Sequence, residues 1–201
     1  MYILFSALAA ILPMTLYLTL IWRYDRFDRE PIPLLLQNFF WGAFGAVLFA
    51  FIGSYLFASY YRYFQHYFVS RQSFELVLLA PLIEESTKGV FLFSTVANRK
   101  FDNITDGLVY GGAIGLGFGM TENFLYFLTN TESIGTWVTI VIIRTLFSGL
   151  MHCISTGLLG AISALQNSGR LPFDSSLFPP DFPLRLPFIW VGTIRSLRLV
   201  L

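Results

Sequence analysis

Apolar residues are grouped along this 201-residue chain into five long runs that short polar segments separate. A helix needs about 20 mainly apolar residues to cross the roughly 30 Å of hydrocarbon in a bilayer. Because a chain in lipid must satisfy its own backbone hydrogen bonds, the runs are predicted to be helices. They cover residues 2–22, 34–58, 74–97, 104–128 and 136–165.

Composition places the chain in a membrane. Hydrophobic residues make up 55% and charged residues 12%, and the mean hydropathy is +0.65, whereas a soluble domain carries about 25% charged residues. The predicted fold is therefore an all-α, polytopic membrane helical bundle with about five transmembrane helices. A net charge of +1 without a run of Lys and Arg argues against nucleic acid as a partner. The single cysteine cannot form an internal disulfide.

Basic residues predict the topology. The loop RYDRFDREP carries three arginines and NRKFD carries Arg99 and Lys100, whereas TNTESIG carries no Lys or Arg. The positive-inside rule therefore places the loops RYDRFDREP and NRKFD in the cytoplasm and the amino terminus outside. No basic residue precedes the first run, so we expect a retained helix rather than a cleaved signal peptide. The expected location is the cell membrane, with several passes.

The last part of the chain has a different composition. Residues 167–201 are rich in proline and arginine, and their apolar run LPFIWVGTI is too short to span a bilayer. We expect an interfacial or disordered tail after a membrane domain of residues 1–166.

The third run contains charges where apolar residues are expected. In LLAPLIEESTKGVFLF, Glu84, Glu85 and Lys88 lie at membrane depth, where each charge costs roughly 2.5–3.5 kcal/mol on insertion scales. Glu84 and Lys88 have the i, i+4 spacing of an ion pair. Glu85 is left without a local partner, which favours a functional site over a purely structural pair.

The fourth run combines glycines with further polar residues. Gly107, Gly111, Gly115 and Gly119 recur every four residues and lead to Asn123, a spacing that lets another helix approach closely. Tight packing alone would explain the glycines. Glu122 is a third acid within the membrane. At the cytoplasmic end, Asp106 is predicted to be an N-cap or a first-turn charge.

The fifth run carries a polar ridge. Arg144, Ser148, His152, Thr156 and Gly160 follow at steps of four residues on an otherwise apolar helix. A lone buried histidine often only satisfies hydrogen bonds. Here it accompanies glutamates from two other helices, and glutamate with histidine is suited to moving a proton to and from water.

These motifs resemble the PrsW family of bacterial intramembrane proteases. The likeness covers residues 12–166 through YDRFDREP, APLIEESTKG, DGLVYGGAIGLGFGMTENFLY and HCISTGLLG, in that order. The family is related to the CAAX-processing membrane endopeptidases, whose pattern is a glutamate pair, Phe-x-x-x-His and His-x-x-x-Asn. The corresponding positions here are Glu84 with Glu85, Phe118 with Glu122 in place of histidine, and His152 with Thr156 in place of asparagine.

The resemblance implies hydrolysis of a peptide bond in a single-span membrane protein within the lipid bilayer, such as the first cut of an anti-sigma factor. Family members usually continue into a helix with a pattern like His-Gly-x-Tyr-Asp. This chain has no histidine after His152. A frameshift, a truncation or a divergent carboxy terminus would each explain this difference. If that histidine is required, we expect this copy to be inactive.

Residues and resemblance together suggest a mechanism. Glu84 or Glu85 would act as general base to a water that His152 orients, and Asn123 with Thr156 would stabilise the oxyanion. Lys88 would keep the second glutamate ionised. No cofactor is expected in this reading. The alternative is a catalytic zinc bound by Glu85, Glu122 and His152.

Two functions from other classes also fit intramembrane acids. A proton-coupled transporter would use the glutamates and the histidine as a relay, although the five segments show no internal symmetry. A catalytically inactive scaffold would bind single-span partners through the glycines.

Overall fold

A computed structural model describes residues 2–25, 29–64, 79–98, 101 and 103–167. Every regular element in these residues is helical and none is a strand, which confirms the predicted all-α fold. The expected tail lies outside the described residues apart from Asn167, and so do residues 74–78 of the third predicted run.

Five helices follow the five predicted runs. Two of them contain a π-helical stretch, in which the backbone hydrogen bonds span five residues instead of four and which is frequent at functional sites. The helices are α1 (Tyr2–Tyr24), α2 (Ile32–Phe40, π-helical Trp41–Ala46, Val47–Phe64), α3 (Ala80–Val96), α4 (Ile104–Thr129) and α5 (Ile134–Ile143, π-helical Arg144–Ser148, Gly149–Asn167).

Within the described residues, three helical segments are long and apolar enough to cross a membrane. They are Tyr2–Tyr24, Ile32–Ala58 and Ile134–Gln166, with mean hydropathies of 2.0, 1.8 and 1.7. On these helices large apolar side chains such as Leu12, Phe44 and Ile142 point outward. Ordinary water-soluble chains bury such side chains, so this surface is that of a membrane protein.

Helix α4 lies at the centre of the bundle and packs closely on α5. A Cβ atom added at Gly107, Gly111 or Gly115 would collide with backbone atoms of the facing residues Gly160, Thr156 and His152. The glycines therefore let the two backbones touch, as their spacing predicted. The contact at Gly115 fixes the backbone of His152 against α4.

A second close approach, which the sequence analysis did not predict, joins α4 to α2. A Cβ at Gly117 would meet the carbonyl oxygen of Phe39, and one at Gly42 would meet that of Ile114. Helix α4 is thus held between two backbones on different sides. Its position relative to α2 and α5 is set by contacts that tolerate no added side chain.

A capping box begins α4. The backbone N–H of Asp106 donates to Asn103 Oδ1 over 3.0 Å, and the N–H of Asn103 donates to Asp106 Oδ2 over 3.2 Å. Asn103 is therefore the N-cap. Of the two roles predicted for Asp106, N-cap or first-turn charge, it has the second.

Glu30 anchors the loop between α1 and α2 to this end of α4. Its side chain is 5% exposed and accepts a hydrogen bond from the Tyr110 hydroxyl. Its carbonyl oxygen accepts a hydrogen bond from Trp22 Nε1 over 3.0 Å. Burial, opposed in part by the Tyr110 hydrogen bond, raises the pKa of Glu30 from 4.5 to about 8.

Gly115→Ala is expected to destabilise the bundle, because the new methyl group collides with the His152 carbonyl. Overpacking of this kind costs about 1–3 kcal/mol. The matched control is Gly135→Ala in the first turn of α5, where the nearest atom to an added Cβ is Ser133 Oγ at 3.9 Å. Thermal unfolding in detergent should show a lower Tm for Gly115→Ala alone, and equal Tm values would contradict the close packing.

Stability is expected to fall as the pH rises from about 4.5 to about 8, the two pKa values that the Glu30 carboxyl has outside and inside the fold. Between them the folded chain binds the Glu30 proton more tightly than the unfolded chain, so deprotonation favours unfolding. Glu30→Gln should reduce this decline in Tm. Glu132→Gln, at an exposed position, should retain it, and identical pH profiles for the two variants would refute the assignment to Glu30.

Candidate active site

Three helices bring the predicted acids and the histidine into one cluster. Helix α3 supplies Glu84, Glu85 and Lys88, α4 supplies Glu122, and α5 supplies His152. The groups are connected by hydrogen bonds and ion pairs rather than merely lying at similar depth. These groups were predicted to share one site, but the contacts between them were not predicted.

Lys88 connects α3 to α5. Its side chain is 0% exposed, and its ammonium lies 2.8 Å from Glu85 Oε1 and 2.9 Å from His152 Nδ1. The Phe118 ring lies beneath it, with its centroid 4.0 Å from Nζ. A buried cation thus finds a carboxylate, an imidazole nitrogen and an aromatic face.

Lys88 forms ion pairs with both glutamates of α3, and the predicted pair with Glu84 is the longer one. Lys88 Nζ is 3.8 Å from Glu84 Oε2 but only 2.8 Å from Glu85 Oε1. The reason lies on α5, where Ser155 donates to Glu85 Oε1 over 3.0 Å and Thr156 donates to Glu85 Oε2 over 3.2 Å. Because these hydroxyls hold Glu85 between α3 and α5, Glu84 is the less constrained acid.

Glu122 has its own set of donors. Its Oε2 lies 2.9 Å from His152 Nε2, 2.5 Å from an Arg144 guanidinium nitrogen and 3.3 Å from Ser148 Oγ. Arg144 and Ser148 belong to the π-helical stretch of α5 and also bond to each other over 3.1 Å. The polar ridge predicted on α5 therefore faces the acids of the other two helices.

Asn123 and Thr156, which were predicted to be oxyanion donors, make hydrogen bonds within the cluster. Asn123 is 0% exposed, and its Oδ1 accepts a hydrogen bond from Arg144 Nε over 3.0 Å. Thr156 is also 0% exposed and donates to Glu85. Their positions support a role in holding Arg144 and Glu85, and neither lines the cavity described next.

A cavity of about 310 Å³ opens beside the cluster. Glu84 and Glu122 both lie on its wall. The remaining wall comes from the second half of α2 and the last turns of α4. Its residues are Val47, Ala50, Phe51, Ser54, Phe118, Leu125, Tyr126 and Thr129. The cavity thus presents two carboxylates to an otherwise mainly apolar space.

Charge counting singles out Glu84. The cluster holds three carboxylates but only one lysine and one arginine. Lys88 contacts Glu85 at 2.8 Å and an Arg144 nitrogen contacts Glu122 at 2.5 Å. Glu84 is the third carboxylate, with Lys88 at 3.8 Å as its ion-pair partner. It therefore combines weaker pairing with a place on the cavity wall.

Two site residues were not predicted. Ser155 binds Glu85 and could have been found as the i+3 neighbour of His152, next to Thr156. Ser54 lines the cavity and is the one polar side chain in the run VLFAFIGSYLFA apart from a tyrosine. Asp106, in contrast, lies sixteen residues before Glu122, about 24 Å along α4, and caps the helix outside the cluster.

Comparisons with known proteins agree on one family. The model of the PrsW family, described as intramembrane metalloproteases, matches residues 30–178. Protease PrsW of Oceanobacillus iheyensis is 35% identical over 123 residues, which are 61% of this chain and 54% of that protein. Protease PrsW of Bacillus subtilis is 32% identical over 122 residues, or 60% and 52%. That of Clostridioides difficile is 29% identical over 134 residues, or 66% and 55%.

The chain spans about half the length of the curated relatives that it matches. No solved structure matches it.

The residues of the cluster do not fit the metal that the family description implies. The Lys88 ammonium lies between Glu85 and His152, two of the three zinc ligands considered from the sequence, at 2.8 and 2.9 Å. Arg144 and Ser148 donate to the oxygen of Glu122, the third. In the described part of the chain, no three His, Cys, Asp or Glu side chains form a metal-binding group.

Glu85→Gln is expected to lower the Tm more than Glu84→Gln. The first change removes the carboxylate that lies closest to the buried Lys88 ammonium and that also accepts hydrogen bonds from Ser155 and Thr156 of α5. The second removes only the partner at 3.8 Å. Thermal unfolding of both variants in the same detergent tests the order, and a larger loss for Glu84→Gln would contradict the assigned pairing.

Proposed function

Because the chain belongs to the PrsW family of intramembrane proteases, we propose that it hydrolyses a peptide bond of a single-span membrane protein. In this proposal it is a multi-pass protein of the cell membrane, and its α3 and α4 cross the bilayer together with the three more apolar helices. The observation that carries the proposal is the pair Glu84 and Glu122 on one cavity wall, backed by His152.

Glu84 is the general base of the proposed mechanism. It takes a proton from a water in the cavity while the water oxygen attacks the substrate carbonyl carbon. The carbonyl becomes an oxyanion, which then collapses as the C–N bond breaks and the leaving nitrogen receives the proton that Glu84 took. Glu84 suits this exchange because Lys88 already has a closer carboxylate in Glu85.

The Glu122 group is the second half of the machinery. Its carboxylate gathers hydrogen-bond donors from His152, Arg144 and Ser148 beside the cavity. In the proposed mechanism these donors offset the negative charge of Glu122, so that a second carboxylate can lie beside Glu84 and accept a hydrogen bond from the attacking water. Asn123 supports them by holding Arg144.

The site is proposed to open towards the outer side of the membrane. Under the positive-inside assignment, α4 runs from the cytoplasm at Ile104 to the outside at Thr129. Glu122 lies seven residues before that outer end, about 10 Å along the helix, and Thr129 itself lines the cavity. A substrate would then be cut close to the outer surface, which suits an anti-sigma factor with an extracytoplasmic part as the substrate class.

Glu84→Gln is expected to abolish cleavage, by at least about 100-fold, because glutamine cannot accept the proton of water. A tagged single-span anti-sigma factor from the same genome would be co-expressed with each variant in a bacterium that lacks its own PrsW, and fragments would be followed by immunoblot. Glu132→Gln, the same change at an exposed position between α4 and α5, is the control and should cleave normally.

Retained cleavage by a folded Glu84→Gln variant would rule out Glu84 as the base. Loss of cleavage with a chelator, reversed by zinc, would contradict the metal-free mechanism. Capture of the substrate without any fragment from the unaltered chain would favour the scaffold function instead.

A further inference from the structure

We propose that Lys88 is a positioning residue that keeps His152 as a neutral ring with its one proton on Nε2. The assignment rests on the contacts of the two ring nitrogens. Only its consequence for cleavage rests on the proposed function.

The contact on Nδ1 requires a lone pair there. An ammonium has three N–H donors and no acceptor, so its hydrogen bond at 2.9 Å to Nδ1 needs an unprotonated ring nitrogen. Glu85 at 2.8 Å and the Phe118 face at 4.0 Å both favour the charged form of this buried amine.

The contact on Nε2 requires a proton on that nitrogen. Nε2 lies 2.9 Å from Glu122 Oε2, and a carboxylate only accepts hydrogen bonds. Arg144 pairs with the same oxygen, which favours the ionised form of Glu122. The ring nitrogen that faces it must therefore carry the proton.

Both other states of the ring lose these contacts. With the proton on Nδ1, an N–H would oppose the ammonium and the Nε2 lone pair would oppose the carboxylate. A doubly protonated ring would keep the Glu122 contact but place an N–H and a positive charge against Lys88. The observed geometry satisfies both nitrogens in only one of the three states.

The consequence is a division of labour in the site. Both nitrogens of His152 are engaged, so the ring acts as a hydrogen-bond donor towards Glu122 rather than as the base that takes a proton from water. The other charged groups of the cluster are Glu84 and Glu85 on α3 and Arg144 on α5. Apart from Glu122, which His152 and Arg144 contact, Glu84 is the acid of the cluster that lies on the cavity wall.

The test is nitrogen-15 NMR of the untagged full chain, labelled at histidine, in detergent at neutral pH. The chain has two histidines. His152 is assigned by the signals that disappear in His152→Gln, and the signals of His66 serve as the internal reference. The expected spectrum shows His152 with a protonated Nε2 and an unprotonated Nδ1. A proton on Nδ1, alone or in addition, would overturn the proposal.

Two variants at Lys88 add a second readout. Lys88→Met removes the donor, and we expect a proton to appear on Nδ1 with a shift of at least about tenfold in the population ratio, the size of one charge-assisted hydrogen bond. Lys88→Arg retains a cationic donor and should leave Nδ1 unprotonated. An unchanged His152 spectrum in folded Lys88→Met would overturn the proposal.

The NMR result is independent of any substrate. If the ring has the expected proton and the chain does not cleave, only the proposed function fails. If the chain cleaves and the proton lies on Nδ1, only the role of Lys88 fails. When both hold, Lys88→Arg should retain more cleavage than Lys88→Met.

Discussion

The site depends on the burial of one ammonium group. The side chain of Lys88 has no exposed surface in the bundle, and a buried charge without a partner is strongly unfavourable. Its partners come from its own helix, from the Phe118 ring of α4 and from His152 of α5. Satisfying this cation therefore requires three helices to meet at one point.

Glycine makes that meeting possible. The side chains of Glu122 on α4 and of Ser148 and His152 on α5 reach one another only when these two helices are close. The backbone contact of Gly115 with His152 brings α4 and α5 to that distance. The π-helical stretch of α5 then places Arg144 within reach of Glu122. Packing and chemistry are thus parts of one arrangement.

Much of the fold could be predicted from local sequence. Apolar runs as long as the bilayer is thick predicted five helices, and the spacing of Gly107, Gly111 and Gly115 predicted a close helix contact. These features depend on a single segment and its period, which hydropathy and spacing describe directly. Bringing the acids and His152 together could be expected once the family resemblance was recognised.

Other features depend on residues far apart in sequence. The spacing favoured Glu84 as the partner of Lys88, but Ser155 and Thr156 of another helix hold Glu85 there instead. That residues of α2 line the cavity could not be predicted, because in the sequence Ala50 and Phe51 look like any lipid-facing residues. Asn123 was predicted as an oxyanion donor, and its hydrogen bond with Arg144 became visible only in the folded chain.

The central claim is that this bundle hydrolyses peptide bonds with glutamate-activated water. The most direct measurement is reconstitution of the purified full chain, as the only protein besides a doubly tagged single-span anti-sigma factor, in liposomes that carry a pH-sensitive dye inside. The account predicts two fragments, cut near the outer end of the substrate helix, and no proton flux. Proton flux through a folded chain without any fragment would contradict the account and favour a transporter.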